Sequence, residues 1–146
     1  VIEFNCRFGD PETQPIMLRL ESDLVELCLK ACDGKLDEVK SQWNPKASLG
    51  IVLAAEGYPG DYRKGDEISG LPQSAVENEK VFLAGVEAKA GKLVTNGGRV
   101  LCATALGESV FDAQQKALKL AEQIQWNGRF YRRDIGYRAV AREQQK

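Results

Sequence analysis

The stretch KLVTNGGRVLCATALGESVFDAQQKALKLAEQIQ, residues 92–125, decides the fold class. Its first half holds two short apolar runs, at residues 92–95 and 99–106, joined by Asn96-Gly97-Gly98. Asn and Gly tolerate the positive φ angles of tight strand connections, so Asn-Gly between apolar runs predicts a hairpin. The second half changes period. Val110, Ala113, Ala117, Leu120, Ala121 and Ile124 recur mostly at spacings of three and four, the pattern of one helix face. Ser109, three residues before Asp112, gives a capping-box-like start, and Asn127-Gly128 a stop. The helix is expected to end near Gln125.

Working outward, LGIVLAA at residues 49–55 reads as a buried strand, followed by the turn-rich loop GYPGDYRKGD at 57–66, and VFLAGV at 81–86 reads as a second strand. Residues 35–46 are polar, end in Asn44-Pro45 and read as a connector. Residues 1–8 alternate, with Ile2, Phe4, Cys6 and Phe8 on one face and Val1, Glu3, Asn5 and Arg7 on the other, which predicts a strand with one buried face. Gly9-Asp10-Pro11 ends it. One helix is then expected from Thr13 or Pro15 to about Cys32, with Thr13 as its cap and Ile16, Leu20, Leu24, Leu27 and Ala31 on its apolar side. Asp33-Gly34 stops that helix. The order β-α, connector, several strands and one long helix implies an α+β fold with a largely antiparallel sheet. The natural division falls between residues 1–35 and 36–146. A start at Val1, inside a strand pattern, leads to the expectation that the chain is a piece of a longer protein.

The 146 residues are 43% apolar and 28% charged, the balance of a soluble globular chain. Net charge is −1, which gives no electrostatic reason for non-specific binding to nucleic acid or membrane. No run is long and apolar enough to span a bilayer, and a cytoplasmic location is expected. The chain has no His, so chemistry must rest on carboxylates, Arg, Lys or backbone groups. Cys28 and Cys32 are close, but Cys6 and Cys102 form no second close pair, so the four thiols read as apolar fillers rather than a zinc site.

Four groups of residues could carry chemistry, and each has a simpler reading. Strand alternation puts Glu3, Asn5 and Arg7 on one face. Glu3 and Asn5 offer the hard oxygens that Mg²⁺ prefers, and Arg7 a planar cation for phosphate or carboxylate. The simpler reading is a solvated edge. Asp10, Pro11 and Glu12 lie at the approach to a helix N-terminus, where backbone N–H groups attract anions. The simpler reading is a turn and cap. Thr95, Gly97, Gly98 and Arg99 could form an anion nest closed by a guanidinium, or a plain hairpin turn. Arg129, Arg132, Arg133 and Arg138, with Asp134, form a charge run that is by default a solvated face. Taken singly, the simpler reading is favoured for each.

Read continuously, the chain changes these odds. EFNCRFGDPETQ at residues 3–14 closely resembles the signature of the phosphoribosylamine–glycine ligases, the glycinamide ribonucleotide synthetases. The resemblance continues in order through LAAEGYPG (53–60), VTNGGRVL (94–101), TALG (104–107) and YRRDIGYR (131–138). It implies the C-terminal portion of an ATP-grasp enzyme of purine biosynthesis, with residues 1–35 the last strand and helix of the ATP-grasp domain. The implied reaction activates glycine as an acyl phosphate with ATP. The amine of 5-phosphoribosylamine then attacks, giving glycinamide ribonucleotide, ADP and phosphate.

The resemblance assigns Glu3 and Asn5 to Mg²⁺ or Mn²⁺ bridging the ATP phosphates, and Arg7 to the transferring phosphoryl group or the acyl phosphate. It assigns Asp10, Pro11 and Glu12 to the floor of the substrate pocket, and Thr95, Gly97, Gly98 and Arg99 to the substrate phosphate. The N-terminal substrate domain, the ATP-grasp lysines, the lid and the adenine pocket lie upstream of Glu3 in such enzymes. The isolated chain is therefore expected to be inactive, and to leave residues 1–34 labile or to self-associate through them. The full-length enzyme is expected to be a monomer. Two rivals are a free-standing, non-catalytic binding module and another ATP-grasp enzyme of the biotin-dependent carboxylase type.

Overall fold

The computed structural model describes residues 1–2 and 7–145. In chain order it contains helices α1 (Thr13–Arg19) and α2 (Leu24–Cys32), a 3₁₀ turn at Leu36–Glu38, and strands β1 (Ala47–Ala54), β2 (Glu79–Leu83), β3 (Val86–Lys89), β4 (Lys92–Thr95) and β5 (Arg99–Gly107). Helices α3 (Val110–Gln123) and α4 (Tyr137–Glu143) follow. Of the strand expected at residues 1–8, residues 3–6 lie outside the described residues; residues 1, 2, 7 and 8 are described and are not in a strand, and Ile2 and Phe8, from its apolar face, are both exposed.

Strand β5 organises the molecule. It pairs antiparallel with β1 on one side and β2 on the other. Every residue of β5 after Arg99 is buried, the signature of a strand covered on both faces. Side chains alternate across a strand, so Ile51 and Ala103, paired in register, face one side, and Val52 and Cys102 the other. Helix α3 packs on the first side and α1 on the second. Two glycines mark how closely these helices approach. A Cβ on Gly107 would lie 2.2 Å from the amide nitrogen of Ala113 in α3, and one on Gly50 would lie 3.2 Å from Cγ of Pro15 in α1.

The expected long helix is borne out. Ala113, Ala117, Leu120, Ala121 and Ile124 are buried, and Ser109 caps the start by accepting from the Asp112 amide at 3.1 Å. The helix stops at Gln123 because Ile124 turns extended and Gln125 bridges to Ser69. The antiparallel α+β reading also stands.

Two expectations need correction. The strands at 92–95 and 99–106 are not a hairpin. Both edges of β5 are already taken by β1 and β2, so β4 pairs instead with β3 in a separate two-stranded sheet. Ala90 and Gly91, with φ of 49° and 76°, make that turn. Asn96-Gly97-Gly98 is thus a crossover between two sheets. The run at 81–86 is correspondingly split: β2 ends at Leu83 and Val86 opens β3.

The helix expected over residues 13–32 is also two helices. Leu20 is extended and bridges to Trp43, and Asp23 begins α2 by accepting from the amides of Val25 at 2.7 Å and Glu26 at 3.3 Å. The short polar side chain of Asp23 offers the backbone local partners that compete with a continuous helix, while the Ser22 hydroxyl accepts from the Gln42 amide at 2.7 Å. Thr13 is not the cap of α1. It is the first helical residue, and its hydroxyl donates to the Gly9 carbonyl at 2.6 Å. The stop at Asp33-Gly34 stands, with Gly34 at φ 69°.

Candidate functional site

The crossover at 96–98 brings one arginine to a junction of three segments. Gly85 and Gly97 cross here with their Cα atoms so close that a Cβ on Gly85 would lie 2.6 Å from Gly97 Cα. Asn96 donates to the Gly85 carbonyl at 2.7 Å and Gly85 to the Arg99 carbonyl at 3.1 Å, which fixes the crossover. Among the described residues the amides of Gly97 and Gly98 bond to no backbone carbonyl. Arg99 then opens β5 with its side chain exposed.

The second segment is the approach to α1. Nη2 of Arg99 donates to Oδ2 of Asp10 at 2.8 Å, an ion pair between residues 89 apart in sequence. Because α1 covers the sheet face that carries Val52 and Cys102, Asp10, Pro11 and Gln14 meet Val52, Ala84, Arg99, Leu101 and Cys102 around a cleft of about 240 Å³. Oε1 of Gln14 is buried with no hydrogen-bond partner among the described residues. Burial pushes the Cys102 thiol up from its ordinary pKa. The Thr104 hydroxyl at 3.4 Å opposes that shift, and the Asp10 charge reinforces it. Cys102 therefore stays a neutral thiol in the wall.

The third segment is the loop after β1. Tyr58 lies with its ring centroid 5.9 Å from the Arg99 guanidinium carbon and 6.5 Å from the ring of Tyr62. Lys64 stands 5.9 Å from the Tyr62 ring, and Arg63 pairs with Asp66, whose carboxylate raises the Arg63 pKa.

The structure thus joins Asp10, Pro11 and Arg99 on one cleft, with Gly97 and Gly98 adjoining Arg99. The side chain of Thr95 points elsewhere. It is 1% exposed, and its hydroxyl accepts from the Asp66 amide at 3.1 Å, so it braces the loop behind the crossover. Glu12 folds back, its Oε2 only 2.4 Å from where a Cβ on Gly9 would sit. Arg7 donates to the Phe8 carbonyl at 3.0 Å. Glu3 and Asn5, the metal ligands expected from the resemblance, lie outside the described residues. Among the described residues no three His, Cys, Asp or Glu side chains gather as a metal site would need.

The arginine run is engaged internally. Arg129 donates to the carbonyls of Ala121, at 2.7 Å, and Ile124, at the C-terminus of α3, where a cation complements the helix dipole. Arg132 pairs with Asp134 and Arg133 with Glu122, both at 2.7 Å. Residue-by-residue reading gives no role to Tyr58 or Gln14 and makes Cys102 an apolar filler, in line with its burial, whereas Cys28 and Cys32, read the same way, are exposed. Tyr58 and Gln14 stand inside the quoted motifs, but nothing in their spacing shows that they face Arg99 or the cleft.

Comparison with known proteins agrees with the fold. The family description "Phosphoribosylglycinamide synthetase, C domain" matches residues 48–138. Phosphoribosylamine–glycine ligase of Haemophilus influenzae is 88% identical over 146 residues, covering 100% of this chain and 34% of that protein. The Pasteurella multocida enzyme is 84% identical over 143 residues, with 98% and 33% covered. A solved structure of phosphoribosylamine–glycine ligase from Thermotoga maritima superposes with a TM-score of 0.77 at 41% identity, covering 92% of this chain and 32% of that one. The chain spans about a third of the length of these relatives.

Proposed function

We propose that this chain, which belongs to the phosphoribosylglycinamide synthetase family and corresponds to its C domain, supplies the substrate-phosphate anchor of an ATP-dependent ligase. The ligase joins glycine to 5-phosphoribosylamine. A glycine carboxylate oxygen attacks the γ-phosphorus of ATP and ADP leaves, giving an acyl phosphate. The amine nitrogen of phosphoribosylamine then attacks the acyl carbon, inorganic phosphate leaves, and the amine proton passes to solvent or base.

The observation that carries this reading is the meeting of Asp10 and Arg99, from two separate motifs, on one cleft. Arg99 supplies a permanent cation with a planar N–H edge suited to a phosphate. The Gly97 and Gly98 amides, which bond to no backbone carbonyl among the described residues, offer further donors. Pro11 shapes the cleft floor, with Glu12 and Thr95 bracing the turns that flank it. Arg7 would stabilise the transferring phosphoryl group as charge develops. Mg²⁺ or Mn²⁺ would neutralise the ATP phosphates, with Glu3 and Asn5 as ligands on the strength of the sequence motif.

In this reading residues 1–35 close an ATP-grasp domain and residues 36–146 form the C-terminal domain. The relatives' additional length carries the nucleotide pocket, and it would cover the exposed Val25 and Leu29 of α2. A chain of the relatives' full length bearing this sequence should release ADP only when glycine and phosphoribosylamine are both present, while the 146-residue chain alone releases none. ADP release by the full-length chain that ignores glycine would overturn the reading.

A further inference from the structure

Arg99 is touched from two directions, and the two contacts differ in what happens when an anion arrives. The pair with Asp10 occupies the N–H edge of the guanidinium, the edge a phosphate needs, and both partners are open to solvent at 40% and 61% exposure. An incoming phosphate competes with Asp10 directly. The Tyr58 ring instead holds the cation through its π face and leaves N–H donors available.

Tyr58 is itself well fixed. Its amide donates to the Ala55 carbonyl at 3.1 Å, and the Ala55 amide donates to the Gly98 carbonyl at 2.8 Å, so the loop and the start of β5 are stitched at one residue. The ring packs against Gly98: a Cβ there would sit 2.2 Å from Cδ2 of Tyr58 and 3.0 Å from Cε1 of Tyr62. Gly57, at φ 91°, lets the loop close, since a Cβ on it would meet the Asp61 carbonyl oxygen at 2.0 Å. Gly98, whose φ is not positive, is therefore demanded by the rings rather than by the turn.

We propose that Tyr58 is the positioning residue for Arg99, holding the guanidinium in place when a substrate phosphate displaces Asp10. This rests on Arg99 being the phosphate anchor. An arginine fixed before the ligand arrives loses less freedom on binding, so the benefit appears in affinity for the phosphate-bearing substrate.

The test uses the full-length ligase, with KM for each substrate and kcat measured in turn. Three replacements are made at position 58: Tyr58→Phe, Tyr58→Leu, and pentafluorophenylalanine, which keeps the ring shape but reverses its face charge. Tyr58→Phe should behave like the parent. Leu and the fluorinated ring should each raise KM for phosphoribosylamine about two- to fivefold, the scale of an exposed cation–π contact, with kcat and the other KM values unchanged. In an Arg99→Ala background neither should add anything. An unchanged KM with the fluorinated ring, or an effect that persists without Arg99, overturns the proposal. If Tyr58→Leu does not fold, the isosteric fluorinated ring still decides. An Arg99→Ala enzyme with parental KM for phosphoribosylamine overturns the anchor reading itself. A parent enzyme with no glycine-dependent product overturns the ligase reading.

Discussion

Helices α2 and α3 are both amphipathic, yet they end in opposite environments. α3 buries Ala113, Gln114, Ala117, Leu120 and Ala121, whereas α2 buries nothing and leaves Val25 67% and Leu29 62% exposed. Both are properly capped, by Asp23 and Ser109. The difference teaches that periodicity fixes the helix and not its partner. The unit from β1 onward closes its own core, with Ile51, Leu53, Val100 and Ile124 fully buried. The segment before it is tied on through α1 and a few bonds to residues 42–44, among them Arg19 to the Asn44 carbonyl at 3.0 Å.

The largest effect expected from this contrast is on stability. Leu120→Ala removes a fully buried side chain and should cost about 2–5 kcal/mol in chemical denaturation. Leu29→Ala in α2 should change stability by no more than about 0.5 kcal/mol. Comparable losses at the two sites would break the comparison. Capping sharpens it: Ser109→Ala should cost about 1 kcal/mol of global stability, while Asp23→Ala should fray α2, seen as faster amide exchange there, without lowering the global midpoint as far.

Smaller effects are expected at the seam. Gln14→Met keeps the length of the side chain and removes a buried oxygen that lacks a partner, so it should stabilise the protein by up to about 1 kcal/mol. A loss of stability would mean that the amide is satisfied in solution. Lys116, through its hydrogen bond, holds the Asp112 carboxyl below the usual carboxylate range, helped by the Glu108 amide. A lowered folded pKa stabilises above the unfolded value and is lost as pH falls through the folded one. The acid limb of a pH–stability curve should therefore flatten in Asp112→Asn, and an unchanged limb would remove Asp112 from the acid response.

The fold was legible where periodicity and partner coincided. Residues 99–106 and 109–125 announce a strand and a long helix, and both form. The hairpin failed because Asn96-Gly97-Gly98 carries a local turn signal, whereas strand pairing is settled by competition for the edges of β5. The single helix over 13–32 failed because apolar spacing runs on through Ser22 and Asp23, and Asp23 caps a new helix instead. At the site, Asp10 and Arg99 were legible as motif residues, but their contact was not, since nothing in either motif encodes a partner 89 residues away. Thr95 looked like part of an anion loop because it precedes the glycines, and strand alternation turned it inward. Tyr58 carried no signal of its own. Its role depends on Gly98, which reads as a turn residue and also makes room for a ring.

The most direct test of the central claim is steady-state kinetics of Arg99→Ala in the full-length ligase, with each substrate varied in turn. Loss of a charge-assisted phosphate contact should raise KM for phosphoribosylamine roughly ten- to a hundredfold and leave KM for ATP and glycine nearly unchanged. If KM for phosphoribosylamine stays at the parental value, Arg99 is a salt-bridge residue of the seam with Asp10 and the cleft does not anchor the substrate phosphate.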